Sequence, residues 1–158
     1  MYSADMTALE EAYDTYANLL YRVALSHLQH SEDAMDVVQD VFLKLHTSAK
    51  RFRDAEHEKA WLLRVTINRC HDTARRRTLR AYTPIDELEC VAAPNEERPD
   101  VLLEIDRLTP SLKIAVVLNY LEGFSIQETA SILKLSPSAV KMRLSRARDS
   151  LSIALQGE

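Results

Sequence analysis

The sequence is poor in glycine and has no long apolar run. Only two glycines and five prolines occur in 158 residues, and because both residue types interrupt helices, their scarcity favours a mainly helical chain. No run of about eighteen apolar residues is present, so a membrane-spanning helix is not expected. The first residues, which include Asp5, Glu10 and Glu11, lack the basic and apolar regions of a secretory signal. These absences predict a folded, cytoplasmic protein.

Cysteine is equally scarce, and this limits metal and redox chemistry. Cys70 and Cys90 stand far apart without a second pair, which excludes the usual four-ligand zinc spacing, and both are expected to be reduced. The dipeptide His71-Asp72 occurs in metal phosphohydrolases, but the other spaced ligands of such a site are missing. No catalytic constellation is seen. The sequence therefore predicts a non-enzyme without metal, cofactor or small-molecule substrate.

Charge is distributed in alternating blocks. The net charge is -4, but basic minus acidic residues give 2 - 8 = -6 for residues 1–49, 10 - 4 = +6 for 50–80, 2 - 8 = -6 for 81–110 and 6 - 4 = +2 for 111–158. A basic block between acidic ones suggests local phosphate contacts on a body that otherwise repels DNA. Such a chain is expected to need a partner to bind DNA well.

A helix-turn-helix is predicted between residues 125 and 151. Ser125 and Glu128 have the spacing of a capping box, which predicts a helix that begins there and runs to about Lys134. Ser136 and Pro137 then supply an N-cap and a proline at the first helical position, so a second helix begins at Pro137.

The second helix has an apolar stripe and a polar, basic outer face. Val140, Leu144, Ala147 and Leu151 recur at helical spacing and are expected to be buried. A short helix, a turn and a helix with a basic face fit a DNA major groove. The alternative is a solvated helix on an ordinary bundle. It does not explain why the capping box, the turn, the proline and the basic face all indicate a helix-turn-helix. The expected DNA contacts are Ser138, Lys141, Met142, Arg143, Ser145 and Arg146.

The N-terminal part is predicted to be helical as well. A second helix opens at Ser31 with acidic residues at its positive end, and its valines and Phe42 point inward. Asp36, Gln39 and Asp40 form an exposed acidic face. On composition alone a solubilising surface is preferred over a docking site for a basic partner.

The basic block contains an aromatic residue among arginines. Phe52 lies between Arg51 and Arg53, an arrangement that can stack a single-stranded base, although a lone loop phenylalanine more often folds onto the core. A helix through Trp61 then ends in the arginine run 75–77, a second place at which nucleic acid could be held.

The apolar helical periodicity is lost between the N-terminal part and the C-terminal part. Prolines and acidic residues indicate a flexible linker at 79–100, and one more amphipathic helix, Ile114 to Leu121, is closed by Gly123. The predicted fold is all-α, with two small helical domains, residues 1–78 and 101–158, joined by this linker.

Nearly the whole chain resembles one family, the bacterial RNA polymerase sigma factors of the extracytoplasmic-function group. The resemblance rests on residues 33–42 (DAMDVVQDVF), on Trp61-Leu62 followed by Ile67-Asn68 and the arginine run, and on residues 122–130 (EGFSIQETA) through 140–148 (VKMRLSRAR). In this order and spacing the motifs are highly specific. The resemblance implies that the chain consists of the two domains that are called regions two and four in such factors.

The resemblance also assigns roles to residues. It implies that Asp36, Gln39 and Asp40 dock on the core enzyme, which reverses the preference for a solubilising surface. Phe52 and Asn68 match positions that capture a flipped base of the minus-ten element, and the helix from Pro137 would read the minus-thirty-five element. The apolar helix Ile114 to Leu121 would help to seat the domain on the polymerase flap. The residues expected to hold phosphates near the minus-ten element are Arg64, Arg69, Arg75, Arg76 and Arg77.

The implied partners are core RNA polymerase and promoter DNA. Family members are often held inactive by an anti-sigma factor, which makes such a protein a further expected partner. The rival from another class is a free-standing helix-turn-helix regulator, which predicts a stable dimer on a palindromic site. A third reading, a pure interaction module, does not require intact groove-facing side chains.

Overall fold

The computed structural model describes residues 2–48, 50–80 and 100–156, and these are helical apart from short connections. No strand occurs within these ranges, which confirms the all-α prediction. A π-helical turn, Val117–Leu121, follows the fifth helix directly. The α-helices are α1 (Tyr2–Leu28), α2 (Ser31–Ser48), α3 (Ala55–Arg80), α4 (Asp100–Asp106), α5 (Pro110–Val116), α6 (Ile126–Leu133) and α7 (Pro137–Gln156).

Helices α1, α2 and α3 form an N-terminal bundle. The turn between α1 and α2 passes through Gln29, whose φ is +57° and whose N–H donates to Leu25 O at 2.7 Å. Two acidic residues, Glu32 and Asp33, lie in the first turn of α2, where the helix dipole favours negative charge. The apolar faces of the three helices meet in a core that includes Leu20, Val23, Val37, Val41 and Leu62.

Helices α4 to α7 form a C-terminal unit around a smaller core. Ile105, Ala115, Ala130 and Val140 belong to this core, and Leu151 packs at its edge. The π-helical turn ends at Leu121, and Gly123 follows two residues later with a φ of +77°, which suits a residue without a Cβ. The predicted stop at this glycine is therefore confirmed.

The two units pack against each other through apolar side chains. Ile114, Val117, Leu118, Phe124 and Ile132 of the C-terminal unit belong to the same buried cluster as the N-terminal core. The residues expected to seat this unit on the polymerase flap are thus largely buried in the chain itself. Of that segment, Tyr120 is 71% exposed and Leu121 is 37% exposed.

Polar contacts reinforce this seam between the units. Arg22 of α1 lies 2.9 Å from Glu122, and Lys113 of α5 donates from Nζ to the carbonyl of His27 at 2.7 Å. Both residues of the second pair are buried, so this bond is shielded from water and salt. The seam is therefore both apolar and specifically hydrogen-bonded.

The predicted linker lies mostly outside the described residues, as does Cys90. Helix α3 continues to Arg80 and α4 begins at Asp100, so helix extends slightly into both ends of the segment 79–100. The expectation of a flexible linker stays a prediction. Within the described ranges no helix is long and apolar enough to cross a membrane.

Candidate nucleic-acid interface

The helix-turn-helix begins with the capping box predicted from the sequence. The hydroxyl of Ser125 accepts from the N–H of Glu128 at 3.0 Å, and the carboxylate of Glu128 accepts from the N–H of Ser125 at 3.1 Å. The hydrogen bonds that the Glu128 carboxylate makes with the backbone and side chain of Ser125 lower its pKa, because they stabilise its ionised form. Two N–H groups that a helix start leaves open are thereby satisfied.

The turn between α6 and α7 is fixed by backbone conformation and a second cap. Lys134 ends α6 in the left-handed region with φ of 56°, and the N–H of Leu135 donates to Ala130 O at 2.9 Å. Ser136 then caps α7 by accepting from the N–H of Ala139 at 3.1 Å. The predicted break, N-cap and first-position proline are confirmed.

Helix α7 presents the polar face that the sequence predicts. Its inner stripe, Val140, Leu144 and Ala147, is buried, so the opposite face is turned to solvent. Met142 is 55% exposed, a high value for an apolar side chain and one that suits contact with a thymine methyl group. The other exposed residues of this face are Ser138, Lys141, Ser145 and Arg146.

Arg143 is placed differently from the rest of this set. It is half-buried, its Nη1 donates to Ser111 O at 3.4 Å, and it lines a cleft of about 230 Å³ on the seam between the two units. In this arrangement its guanidinium faces the neighbouring helix α5 rather than the outer face of α7. The structure thus brings five of the six expected side chains onto one open surface.

The acidic face of α2 is exposed as expected. Asp36, Gln39 and Asp40 are exposed, while Val37, Val38 and Val41 of the same helix are buried. Two apolar side chains flank the face, since Met35 is 44% exposed and Leu43 is 61% exposed. Sequence reasoning missed these two, although their spacing of four from Gln39 on either side placed them on the same side of the helix.

Phe52 lies against the protein rather than in open solvent. Its ring centroid is 5.4 Å from that of His57 in an edge contact and 5.6 Å from that of Trp61. It is partly buried, so one part of its surface stays accessible beside the exposed Arg51 and Arg53. This position combines the core contact and the basic surroundings that the sequence suggested as alternatives.

Helix α3 carries the other residues that are expected to contact the minus-ten element. Asn68 is exposed and Arg69 is half-buried, and Asn68 lies at the mouth of the same 230 Å³ cleft as Arg143. Arg64 forms hydrogen bonds across the seam. Its Nε donates to Ile132 O at 3.1 Å, and its Nη2 donates to Ser131 O at 3.0 Å. In this arrangement α6 covers the Arg64 guanidinium.

The three arginines at the end of α3 have different surroundings. Arg77 pairs with Asp33 at 3.0 Å and donates to Leu28 O at 2.9 Å, so it ties α3 to the α1–α2 turn. Arg75 pairs with Asp72 of its own helix. Arg76 is exposed. Arg76 is therefore exposed without an ion pair in the described structure, Arg75 is exposed beside Asp72, and Arg77 is bonded within the bundle.

No group of three or more potential metal ligands occurs among the described histidine, cysteine, aspartate and glutamate residues. His71 and Asp72 are adjacent on α3 without a third ligand. Cys70 is buried and unpaired, and burial raises the pKa of its thiol to about 12. Its neutral thiol packs as a small apolar side chain.

Comparison with known proteins gives two family matches in sequence order. Residues 12–80 match the model of sigma-70 region 2, and residues 99–151 match a model of sigma-70 region 4. ECF RNA polymerase sigma factor SigM of Mycobacterium tuberculosis is 32% identical over 95% of this chain and 78% of its own length.

Two solved structures are also similar. The structure of CnrH in complex with the cytosolic domain of CnrY is 27% identical, with a TM-score of 0.70 over 97% of this chain and 90% of that chain. A sigma factor RpoE, solved with the anti-sigma factor NepR from Bartonella quintana, is 23% identical, with a TM-score of 0.72 over 93% of this chain and 96% of that chain. The latter similarity concerns the fold.

Proposed function

The chain belongs to the sigma-70 family, in its extracytoplasmic-function group, and we propose that its two helical units divide promoter recognition between them. As a sigma factor it binds core RNA polymerase and directs promoter-specific initiation of transcription. We propose domain limits of 1–78 and 101–158 with a linker between them. The observation that carries the function is the ordered pair of region 2 and region 4 matches on one chain.

The outer face of α7 is proposed to read the minus-thirty-five element in the major groove. Two charged and two hydroxyl side chains surround Met142 on an exposed face. Lys141 and Arg146 supply donors for guanine edges or phosphates, and Met142 supplies an apolar contact for thymine. Arg143 joins this set in our proposal only when its guanidinium leaves Ser111 of α5 and turns to the outer face of α7.

The Phe52 loop and α3 are proposed to hold the melted minus-ten element. A base that leaves the stack needs an aromatic or apolar wall and a hydrogen-bonding group, which Phe52 and Asn68 provide. Arg69, Arg75 and Arg76 would hold neighbouring phosphates. Arg64 belongs to this set after the two units separate, because its guanidinium is now bonded to α6 carbonyls. Arg77 would contribute by positioning α3.

The acidic face of α2 is proposed to dock on core polymerase. Asp36 and Asp40 supply charge, Gln39 supplies an amide, and the exposed Met35 and Leu43 extend the face with apolar surface. An interface with an apolar part and a charged part gives both affinity and orientation. Docking of this kind places the second unit near its DNA site, so each DNA contact can be weak.

We propose that the chain acts in the cytoplasm as a specificity subunit and not as an enzyme. Sigma factors are regulatory proteins, and this part of the proposal rests on the membership of the chain in that family. A free-standing regulator is not favoured, because that function does not explain the match of residues 12–80 to sigma-70 region 2. An anti-sigma factor is a further proposed partner, in line with the complex of the similar CnrH with the cytosolic domain of CnrY.

Run-off transcription tests the function directly. Purified bacterial core polymerase is incubated with fragments of the source genome, including the DNA upstream of the gene, with and without this protein. Discrete transcripts that need the protein are expected. Absence of such transcripts, together with a stable dimer that shifts DNA alone, would favour the free-standing regulator. A variant with Asp36→Arg and Asp40→Arg controls for dependence on core binding.

A further inference from the structure

Two histidines lie at the seam between the N-terminal and C-terminal units. His27 of α1 is 6% exposed, and its ring centroid is 5.1 Å from that of His71 on α3. Lys113 of α5 donates to the backbone carbonyl of His27. His71 lines the 230 Å³ cleft together with Arg143 of α7. The pair therefore touches both units at the point where they meet.

The surroundings of both imidazoles suit only their neutral forms. Within the described part of the chain, His27 Nδ1 and His71 Nε2 are buried without a hydrogen-bond partner. An imidazolium donates from both ring nitrogens and so requires two acceptors, whereas a neutral ring can leave its unprotonated nitrogen unused at lower cost. Protonation would therefore place an unsatisfied charged donor inside the seam.

Charges around His27 oppose its protonation. The positive charge of Lys113 disfavours a proton on His27, and the Lys113 ammonium lies 3.7 Å from Asp106 of α4. Burial, with Lys113 and His71 adding to it, lowers the pKa of His27 from 6.5 to about 4. Cys70 beside this site stays neutral, since burial raises its pKa. The Asp106 carboxylate of the C-terminal unit forms an ion pair with Lys113.

Charges around His71 act in the same direction. Burial lowers its pKa, Arg75 on the same helix and Arg143 from α7 lower it further, and Asp72 opposes them. Arg77 and Asp33 form a separate pair near the end of α1. A proton on either histidine would thus meet more positive than negative charge at the seam.

We propose that His27 and His71 form a proton-sensitive latch, which holds the two helical units together while both rings are neutral and releases them when the rings are protonated. Release would free Arg64 from its bonds to α6 and would move α3 away from the cleft that Arg143 lines. The inference does not depend on the proposed residue roles, because domain separation can be measured in the free protein without polymerase or DNA.

The direction and size of the effect follow from linkage. The closed form keeps the pKa of His27 near 4, while an open form that exposes the ring returns it towards 6.5. Closure is therefore fully favoured above pH 6.5 and is weakened as the pH falls from there towards 4. Between about pH 7.5 and about pH 5.5, the closed-to-open ratio falls about tenfold from His27 alone.

Small-angle X-ray scattering of the free, full-length protein at these two pH values tests the latch. We expect the radius of gyration to rise at the lower pH while far-UV circular dichroism stays constant. A pH-independent radius, or a rise accompanied by loss of helix, would overturn the proposal. His46→Gln, which changes an exposed histidine of α2, is the matched control and should open like the wild type.

The double variant His27→Gln with His71→Gln should lose the pH response and keep its radius at both values. A response equal to that of the wild type would assign the opening to other groups and overturn the proposal. Imidazole titration by NMR in the wild-type protein gives a test that needs no variant. We expect the pKa of one or both rings to lie well below the ordinary 6.5 of an imidazole, and titration of both rings near that ordinary value would refute the latch.

Discussion

Truncation of Ile132 is expected to separate the two units while leaving each of them folded. Ile132 of α6 is 4% exposed and belongs to the N-terminal core cluster, although α6 itself lies in the C-terminal unit. Ile132→Ala removes three carbons, which at about 0.8 kcal/mol each is about 2.4 kcal/mol of lost burial. A residual cavity raises the cost, so the expected loss is about 2–4 kcal/mol.

This energy is expected to come from the contact between units, because the partners of Ile132 lie across the seam. Ile132 lines two clefts with residues of α3: one with Ala60 and Arg64, the other with Ile67 and Asn68. Loss of about 2–4 kcal/mol lowers the closed-to-open ratio by a factor of about 30 to 1,000. The open form should then be populated at neutral pH.

Scattering and urea denaturation measure the two consequences. The variant should show a larger radius of gyration at neutral pH and two separate unfolding transitions in place of one. The matched control is Ile126→Ala on the same helix, because Ile126 packs against the C-terminal core and its loss should destabilise that unit without opening the seam. An Ile132→Ala protein with the wild-type radius and a single transition would refute this reasoning.

Four further outcomes are expected. Ser125→Ala should lower the unfolding free energy by about 1 kcal/mol in urea titrations; the lowered pKa of Glu128 means that the cap contributes above the ordinary pKa of a glutamate and weakens as the pH falls below it. Charge reversal of Asp36 and Asp40 should abolish co-purification with core polymerase while circular dichroism stays unchanged. Arg146→Ala should alter preference at the minus-thirty-five element without affecting core binding. Asn68→Ala should impair open-complex formation more than closed-complex binding.

Two of these outcomes have a matched control variant, and each of the four has a contrary result. Ser150→Ala changes an exposed serine of α7 and should leave stability unchanged, and an equal loss there would remove the capping argument. Glu10→Arg with Asp14→Arg reverses two exposed charges on α1 at the same spacing of four, so equal loss of core binding would point to a general charge effect. An unchanged footprint for Arg146→Ala, or equal loss at both stages for Asn68→Ala, would contradict those roles.

Local features of the fold were predictable because their causes lie within a few residues. The capping box joins Ser125 and Glu128, which are three positions apart, and the stop at Gly123 depends on one residue's backbone freedom. The exposed face of α7 follows from the buried stripe on its other side. In each case the physical determinant was visible in one short segment.

The seam was not predictable, because its contacts join residues far apart in sequence. Arg64 and Ile132 are 68 positions apart, and the segment between the units carries no pattern that fixes their orientation. One signal was present: Ile132 is apolar but falls off the stripe formed by Ile126, Thr129, Ala130 and Leu133. An isoleucine on the second face of a short helix indicates a second buried surface.

Closure of the seam has a consequence for promoter binding. If opening costs about 2.7 kcal/mol, only about 1% of the free protein can place both units on DNA, and its apparent affinity falls about a hundredfold. Core polymerase offsets this cost when it binds the opened units and holds both DNA-reading surfaces at one separation. In this proposal the acidic body and the closed seam act in the same direction, because both would suppress DNA binding by the free chain while leaving the polymerase-bound chain competent.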